Sequence, residues 1–417
     1  MAAPDLASDL QRIIRVSRAL GSERDLARLL ELILREATAL VDADRASLFL
    51  VDQVRGELVT SIAQGAGEIR LPLGKGIAGA VAASATGINI PSAYDDPRFN
   101  ADNDRKTGYL TRSILCLPLL NHHDAVVAVI QVLNKRDGQP FGTYDEQVLS
   151  ALCGQAAVAI DNARLVSRER EAQRLEREME LARHIQLSLL PEKPPEIPGW
   201  RFSAWCSSCD ATGGDYYDFL PTTGGCDVVI GDVSGHGIAA ALLMSTARAF
   251  LRAMHGPEVD LGQVLTRMNA LLEQDMADDA FMSFVACRLG EDGRCGLVNA
   301  GHEAPLFYRA EQQGFDDVDI GGLLLGMLPD MVYDVTEVTP LRPGDIMVLF
   351  TDGIFEAQRP PEYVSFGLDR LREVIAVAAP QGASAVRDAV VMAVATWLDG
   401  HPAHDDQTLV VIERVAT

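Results

Sequence analysis

The chain has 417 residues, of which 48% are hydrophobic, and carries a formal net charge of -23. At about 150 residues per domain, that length predicts two or three domains with enough apolar side chains for real cores. So acidic a chain repels phosphate backbones, which argues against nucleic acid as a partner. The start, Met1-Ala2-Ala3-Pro4-Asp5-Leu6, lacks a basic segment leading into an apolar one. No run of about 18 apolar residues follows, so no membrane span is expected. The seven cysteines are odd in number and scattered, which fits a reducing cytoplasm rather than a disulfide framework.

Residues 5–20 read as a helix with Leu6, Leu10, Ile13 or Ile14, and Leu20 on one face. A second helix runs from Asp25 to Leu40. Ala46–Val51 and Glu57–Ile62 read as strands, and Gly74-Lys75-Gly76-Ile77-Ala78-Gly79 opens a short helix. Ser113–Leu120 and Ala125–Leu133 are two further strands joined by the polar turn Asn121-His122-His123-Asp124, and a helix follows from Tyr144 to Asn162. Helices flanking an antiparallel sheet are the expected result.

Between 163 and 190, Arg and Glu alternate while Leu165, Ala172, Leu175, Met179, Ala182 and Leu189 hold a heptad seam. Such spacing suits a short coiled coil or signalling helix, hence a homodimer; a single solvated helix is the alternative. Pro191, Pro194, Pro195 and Pro198 then stop it, because proline lacks the amide donor and clashes with the preceding turn. The expected organisation is an N-terminal helix at 1–23, a first domain at 24–163, a connecting helix at 164–190 and a second domain at 191–417.

In the second domain, strands are expected at 201–205, 226–231, 281–289, 295–298, 332–338, 346–351 and 407–412. Helices are expected at 236–254, 260–276, 367–378 and 383–398. Acids stand where these strands meet glycine: Gly214-Asp215, Gly231-Asp232, Asp352-Gly353, and Asp405-Asp406 before the last strand. A single Gly-Asp is usually a turn in which Asp bonds its own backbone. Four such sites point instead to a carboxylate cluster with glycines that let a ligand approach. Aspartates with few accompanying His or Cys are the ligand set of hard cations, Mg²⁺ or Mn²⁺. Two such ions about 3.5–4 Å apart could share a carboxylate and a bridging hydroxide able to attack phosphorus in line.

Residues 176–417 closely resemble the bacterial branch of the PP2C-type (PPM) phosphatases, the RsbU/SpoIIE family. The resemblance is carried by Leu181-Ala182-Arg183-His184-Ile185-Gln186 with Leu189-Leu190-Pro191, GGDYYDF at 213–219, GDVSGHG at 231–237, Ala240 to Met244, Asn299-Ala300-Gly301-His302, TDGIFEA at 351–357 and DDQT at 405–408. It implies an αββα sandwich and a serine/threonine phosphoprotein phosphatase acting on phosphoserine or phosphothreonine, with anti-sigma-factor antagonists as the usual substrates. It also implies that Asp215 and Asp232 bind both metals, that the Val233 carbonyl binds one, and that Asp352 and Asp405 complete the site. Asp405 is preferred to its neighbour Asp406 because the first acid of that motif is the usual ligand. Better-known relatives carry a histidine just after the bridging acid. Here Ser234 stands there, and His236 either assists the leaving group or caps the next helix. His302 is expected to be structural.

Residues 24–163 resemble a GAF domain of the cyclic-nucleotide-binding type found in phosphodiesterases and some adenylate cyclases. The resemblance rests on Lys75 to Gly79, Asn89 to Tyr94, Pro97-Arg98-Phe99, Thr107 to Cys116, and the closing Asn134-Lys135, Phe141 and Asp145-Glu146. Lys135 is expected to pair with Asp145. By that resemblance a cAMP or cGMP pocket would use Ser47, Ile77, Ala78, Tyr94, Thr107 and Thr111, with the cyclic phosphate on amides near Ile77. Gln131 leaves the choice between the two nucleotides open, and many GAF domains bind other molecules or only dimerise.

The whole is thus an α/β (α+β) chain: a GAF antiparallel sheet with flanking helices, a signalling helix and a PP2C-like sandwich. Against the enzyme stand a catalytically silent, ligand-responsive scaffold and a metal-dependent nuclease, the latter disfavoured by the net charge. Cys206-Ser207-Ser208-Cys209 has metal spacing but no second pair to match it.

Overall fold

The computed structural model describes residues 6–53, 55–63, 70–256, 258–276, 280–361 and 363–416. The chain divides into two compact units, Met1–Arg174 and Leu175–Thr417.

The first unit contains α1 (Leu6–Ser22), α2 (Leu26–Leu40), β1 (Ala43–Asp52), β2 (Glu57–Ala63), β3 (Arg70–Pro72), α3 (Gly76–Ser84), β4 (Ile88–Ile90), α4 (Asp102–Thr107), β5 (Ile114–Leu120) and β6 (Val126–Lys135). Its antiparallel sheet has the order β3-β2-β1-β6-β5-β4. The period of two in the strands sorts side chains to opposite faces. Leu115, Leu117 and Leu119 of β5 join α1 and α2 in one core, while Ile114 and Cys116 pack with α3 on the other side. Asp25 caps α2 by accepting from the Arg28 amide, and Leu29, Leu30, Ile33, Leu34 and Ala37 supply its buried stripe. In α1, Val16 and Leu20 are buried and Ile14 is exposed; the side chains of Leu6, Leu10 and Ile13 lie outside the described residues.

A helix expected to end near Asn162 instead continues as α5 (Thr143–Leu187), 45 residues long. Nothing in 163–187 breaks it, because the Arg- and Glu-rich stretch lacks glycine and proline. Among the described residues, no helix is long and apolar enough to cross a membrane.

The second unit adds β7 (Trp200–Ser207), β8 (Tyr216–Thr222), β9 (Gly225–Val233), α6 (Ile238–Met254), α7 (Leu261–Asp275), β10 (Met282–Gly290), β11 (Cys295–Ala300), β12 (Leu306–Arg309), β13 (Gly314–Asp316), β14 (Thr336–Val338), β15 (Ile346–Phe350), α8 (Asp352–Phe355), β16 (Gln358–Arg359), β17 (Val364–Ser365), α9 (Leu368–Ala378), α10 (Ala383–Leu398) and β18 (Gln407–Arg414). Two five-stranded antiparallel sheets form, in the orders β14-β11-β10-β9-β8 and β13-β12-β15-β18-β7. Alternation again decides the layers. Val228, Ile230, Met347, Leu349, Val410 and Ile412 fill the space between the sheets. Val229 and Phe284 face α6 and α7, and Val348, Phe350 and Val411 face α9 and α10. The result is an αββα sandwich. The strand expected over 332–338 is shorter, with only Thr336–Val338 pairing to β11.

Candidate metal centre and sensor site

The loop Gly213-Gly214-Asp215 leads into β8. Asp215 is buried, and its Oδ2 accepts from the Thr351 hydroxyl at 2.8 Å. Its Oδ1, also buried, has no hydrogen-bond partner. Asp352 opens α8 one residue after Thr351, and its Oδ1 is likewise buried and unpartnered. A buried carboxylate oxygen with no donor is costly unless a cation serves it. Asp232 is the last residue but one of β9, opposite Ser283.

These acids share one electrostatic neighbourhood. Burial, then repulsion from Asp215, Asp352, Asp405 and Asp406, raises the Asp232 carboxyl far above the usual range. Burial likewise raises Asp215, with further repulsion from Asp406 and Asp352. Asp352 is pushed up to about 6 by burial and by Asp405 and Glu356. Burial raises Asp405 as well; the Asp406 amide, which donates to its Oδ1 at 2.8 Å, opposes the rise, repulsion from the Asp406 carboxylate adds to it, and His236 opposes it. Among the described residues, no group of three or more carboxylate, imidazole or thiol side chains is disposed to hold a metal ion. The fit to hard cations rests on the donor set, all oxygen, and on the two orphaned oxygens.

Asp405 and Asp406 have different surroundings. Asp405 is exposed, whereas Asp406 is buried and accepts from the Cys209 amide at 2.8 Å and the Gly214 amide at 2.7 Å. The glycines, expected to admit a ligand, make room instead for protein. A Cβ on Gly213 would run into the Asp406 carboxylate, and one on Gly353 would meet the Asp406 carbonyl. At Gly214 the nearest atom would be the Val233 carbonyl oxygen, at 2.6 Å. Thr351 and Thr408 tie β15 to β18: Thr351 N donates to Thr408 O, and Thr408 N to Thr351 Oγ1.

Ser234 is a structural tie, exchanging hydrogen bonds with the Phe281 backbone through its amide and its hydroxyl. His236 does not cap α6, whose N-cap is Gly237; its Nδ1 lies 2.7 Å from Asp210 Oδ2. His302 bridges the two sheets. The Phe350 carbonyl can only accept, so His302 Nε2 carries the proton, and Nδ1 accepts from the Ser283 hydroxyl at 2.7 Å. Burial lowers its pKa to about 4. The Cys206 and Cys209 thiols, both raised to about 12 by burial, sit beside Thr408 and Asp406.

In the first unit, Ile77 and Ala78 of α3 join Phe49, Ile90, Ile114 and Val129 in an apolar cluster. Ser47 and Gln131 are register partners between β1 and β6. Tyr94, Thr107 and Thr111 belong to the segment around α4, organised by Asp104. This buried carboxylate accepts from the Thr111 amide and hydroxyl, at 2.7 and 2.8 Å, and from the Tyr94 hydroxyl at 3.1 Å. Thr107 ends α4. Lys135 Nζ pairs with Asp145 at 2.9 Å, and Asn134 Oδ1 accepts from the amides of Arg112 and Ser113. Asp104 and Asp210 carry no isolated signal in the sequence, because their partners are set by loop geometry, whereas Gln186 belongs to the 181–186 stretch on which the family resemblance rests.

Residues 222–415 match the family model described as Stage II sporulation protein E (SpoIIE), and residues 25–160 match that of the GAF domain. The chain thus carries one stretch similar to a GAF domain and, after it, one similar to SpoIIE. The GAF half resembles cyclic-nucleotide phosphodiesterases. It is 40% identical over 155 residues to the probable 3',5'-cyclic phosphodiesterase pde-5 of Caenorhabditis elegans, covering 34% of this chain and 21% of that protein. It is 35% identical over 172 residues to the dual 3',5'-cyclic-AMP and -GMP phosphodiesterase 11A of Takifugu rubripes, covering 38% of this chain and 19% of that protein. The chain thus spans about a fifth of the length of these curated relatives. The SpoIIE half shares its fold with the SiaA-PP2C domain of Pseudomonas aeruginosa, at 21% identity and a TM-score of 0.51, covering 58% of this chain and 97% of that one.

Proposed function

We propose that the chain is a metal-dependent serine/threonine phosphoprotein phosphatase regulated by its GAF domain. In this reading 24–163 is the sensor, 164–190 the connector and 191–417 the catalytic domain. The carrying observation is the pair of buried, unpartnered oxygens, Asp215 Oδ1 and Asp352 Oδ1, amid mutually repelling acids. Asp215 and Asp232 would hold two Mg²⁺ or Mn²⁺ ions, with the Val233 carbonyl, Asp352 and Asp405 completing the set. When bound, the cations supply Lewis-acid neutralisation of phosphoryl charge and activation of water. The chain's own residues orient that centre. Thr351 fixes Asp215 through Oδ2 and leaves Oδ1 for a ligand. Asp406 holds the Gly214 peptide and so sets where Asp215 begins. Substrate would be a phosphoserine or phosphothreonine protein of the anti-sigma-factor antagonist kind.

The sensor reading, a cAMP or cGMP site using Ser47, Ile77, Ala78, Tyr94, Thr107 and Thr111, is supported by the phosphodiesterase relatives. The heptad seam of α5 supports a homodimer.

Phosphate release from a phosphoserine peptide with Mn²⁺ tests the catalytic claim, with calorimetry of cAMP and cGMP on the full chain as a separate arm. Wild type should turn over, and Asp232→Asn should lose at least about 100-fold, as expected for removing a ligand to the charge-stabilising ions. Equal rates for the two proteins would overturn the enzyme reading. Mn²⁺ binding without turnover would favour the silent scaffold. Absence of heat with either nucleotide would remove the ligand claim alone.

A further inference from the structure

Gln186 is the buried residue of the last turn of α5, flanked by exposed Ile185 and Leu187. Its side chain closes a two-bond ring with a single residue 27 positions away: Nε2 donates to the Gly213 carbonyl at 2.5 Å, and the Gly213 amide donates to Oε1 at 3.1 Å. Both partners are buried. Because one bond uses the amide's donor and the other its acceptor, the orientation of the Gln186 side chain is fixed.

The peptide it grips is where the acid cluster meets. Gly214 N donates to Asp406, and Gly214 O accepts from Val233 N at 3.4 Å. A Cβ at Gly214 would lie 3.1 Å from Asp232 Oδ1, so that carboxylate packs directly on the same peptide. Asp215 follows in sequence. Four of the groups assigned to or beside the metal centre, Asp215, Asp232, Val233 and Asp406, therefore depend on where Gly213-Gly214 sits. Asp406 holds it through Gly214, and Gln186 holds it through Gly213.

We propose that Gln186 is a positioning residue for the metal centre: by clamping Gly213 it sets cation affinity, so the end of α5 is read directly by the metal-binding loop. This rests on the phosphatase reading of that centre. Groups that orient ligands without touching the metal typically contribute about 10–100-fold in metal affinity or activity.

The test is Mn²⁺ titration of the full-length protein by calorimetry, alongside turnover of a phosphoserine peptide across Mn²⁺ concentrations. Gln186→Met keeps the side chain's length and removes both bonds. Gln186→Glu keeps an acceptor for the Gly213 amide but sets an oxygen against the Gly213 carbonyl. Ile185→Ala, one residue away on the exposed side, is the control. Both Gln186 variants should bind Mn²⁺ at least about 10-fold more weakly, with turnover recovering as Mn²⁺ is raised, while Ile185→Ala matches wild type. Thermal unfolding monitored by circular dichroism shows whether each variant is folded. Should Gln186→Met unfold, Gln186→Glu alone decides. Folded Gln186 variants with wild-type Mn²⁺ affinity overturn the proposal. If Asp232→Asn also leaves Mn²⁺ affinity and turnover unchanged, it is the underlying metal-centre reading that fails.

Discussion

Asp405 and Asp406 stand next to each other at the entry to β18, yet one faces solvent and the other is enclosed with two backbone amides on its oxygens. The sequence displays both acids with equal force, and only the resemblance to a family favours the first as a ligand. What separates them physically is the room left by Gly213 and Gly353, which lets Asp406 sink against the backbone. Asp406→Asn would replace one acceptor oxygen by an NH₂ group facing an amide donor. The expected loss is about 1–3 kcal/mol, the usual cost of a buried group left unpaired. It should be read by urea denaturation with Mn²⁺ present, because the substitution also relieves repulsion on Asp215 and Asp232, and that relief would otherwise mask the loss. With Mn²⁺ absent, Asp405→Asn should lower stability by no more than about 0.5 kcal/mol, as exposed substitutions do, because it also relieves repulsion on Asp232 and Asp352; with Mn²⁺ present it should weaken cation binding. The reverse pattern would exchange the two roles.

At the scale of elements, long periodic segments were legible: α2, α7, α9 and α10 lie within a residue of the pattern, and the central strands within three. Their buried stripes repeat often enough to outweigh local noise. Short pieces were not legible. β4, β12 and β13 have three or four residues each, too few for a period to register. β8 was hidden because Tyr216-Tyr217-Asp218 carries a fully buried acid, which breaks the apolar alternation. Asp218 is tolerated there because Arg252 pairs with both of its oxygens, at 2.7 and 2.9 Å. A similar economy operates around α4. Its six residues could not stand alone as a helix, and the Asp104 carboxylate ties it to Thr111 and Tyr94. Asp104→Ala should therefore loosen residues 93–113 as a unit. Hydrogen exchange at the Thr111 amide is expected to quicken by at least about 10-fold, the equivalent of about 1.4 kcal/mol of local opening free energy. Amides of β1 and β6 should keep their protection. Unchanged exchange at Thr111 would show that other contacts hold the segment.

At the scale of the whole molecule, the seam along α5 keeps large apolar side chains exposed. Along α5, Leu165 is 61% exposed and Leu175 47% exposed, although both occupy the heptad seam with Ala172, Met179 and Ala182. Burying a large apolar side chain is worth about 1.5–3 kcal/mol. A seam of this length on each of two helices can therefore meet the lower range of association costs, about 4–15 kcal/mol. Opposing it is a charge of -23 on every copy, whose repulsion acts over the whole surface and is screened by salt. Self-association through α5 should accordingly tighten as salt is raised from about 10 mM to 150 mM, where the Debye length falls from about 30 Å to 8 Å. Association through the alternating Arg and Glu side chains would weaken instead. Sedimentation velocity at two salt concentrations separates these cases. Wild type is expected to sediment as a dimer, more completely at the higher salt. Leu165→Arg combined with Leu175→Arg should sediment as a monomer, because the seam would then have to bury two unpaired cations per chain. A wild-type protein that stays monomeric at tens of micromolar in both buffers would mean that the seam is simply a solvated face.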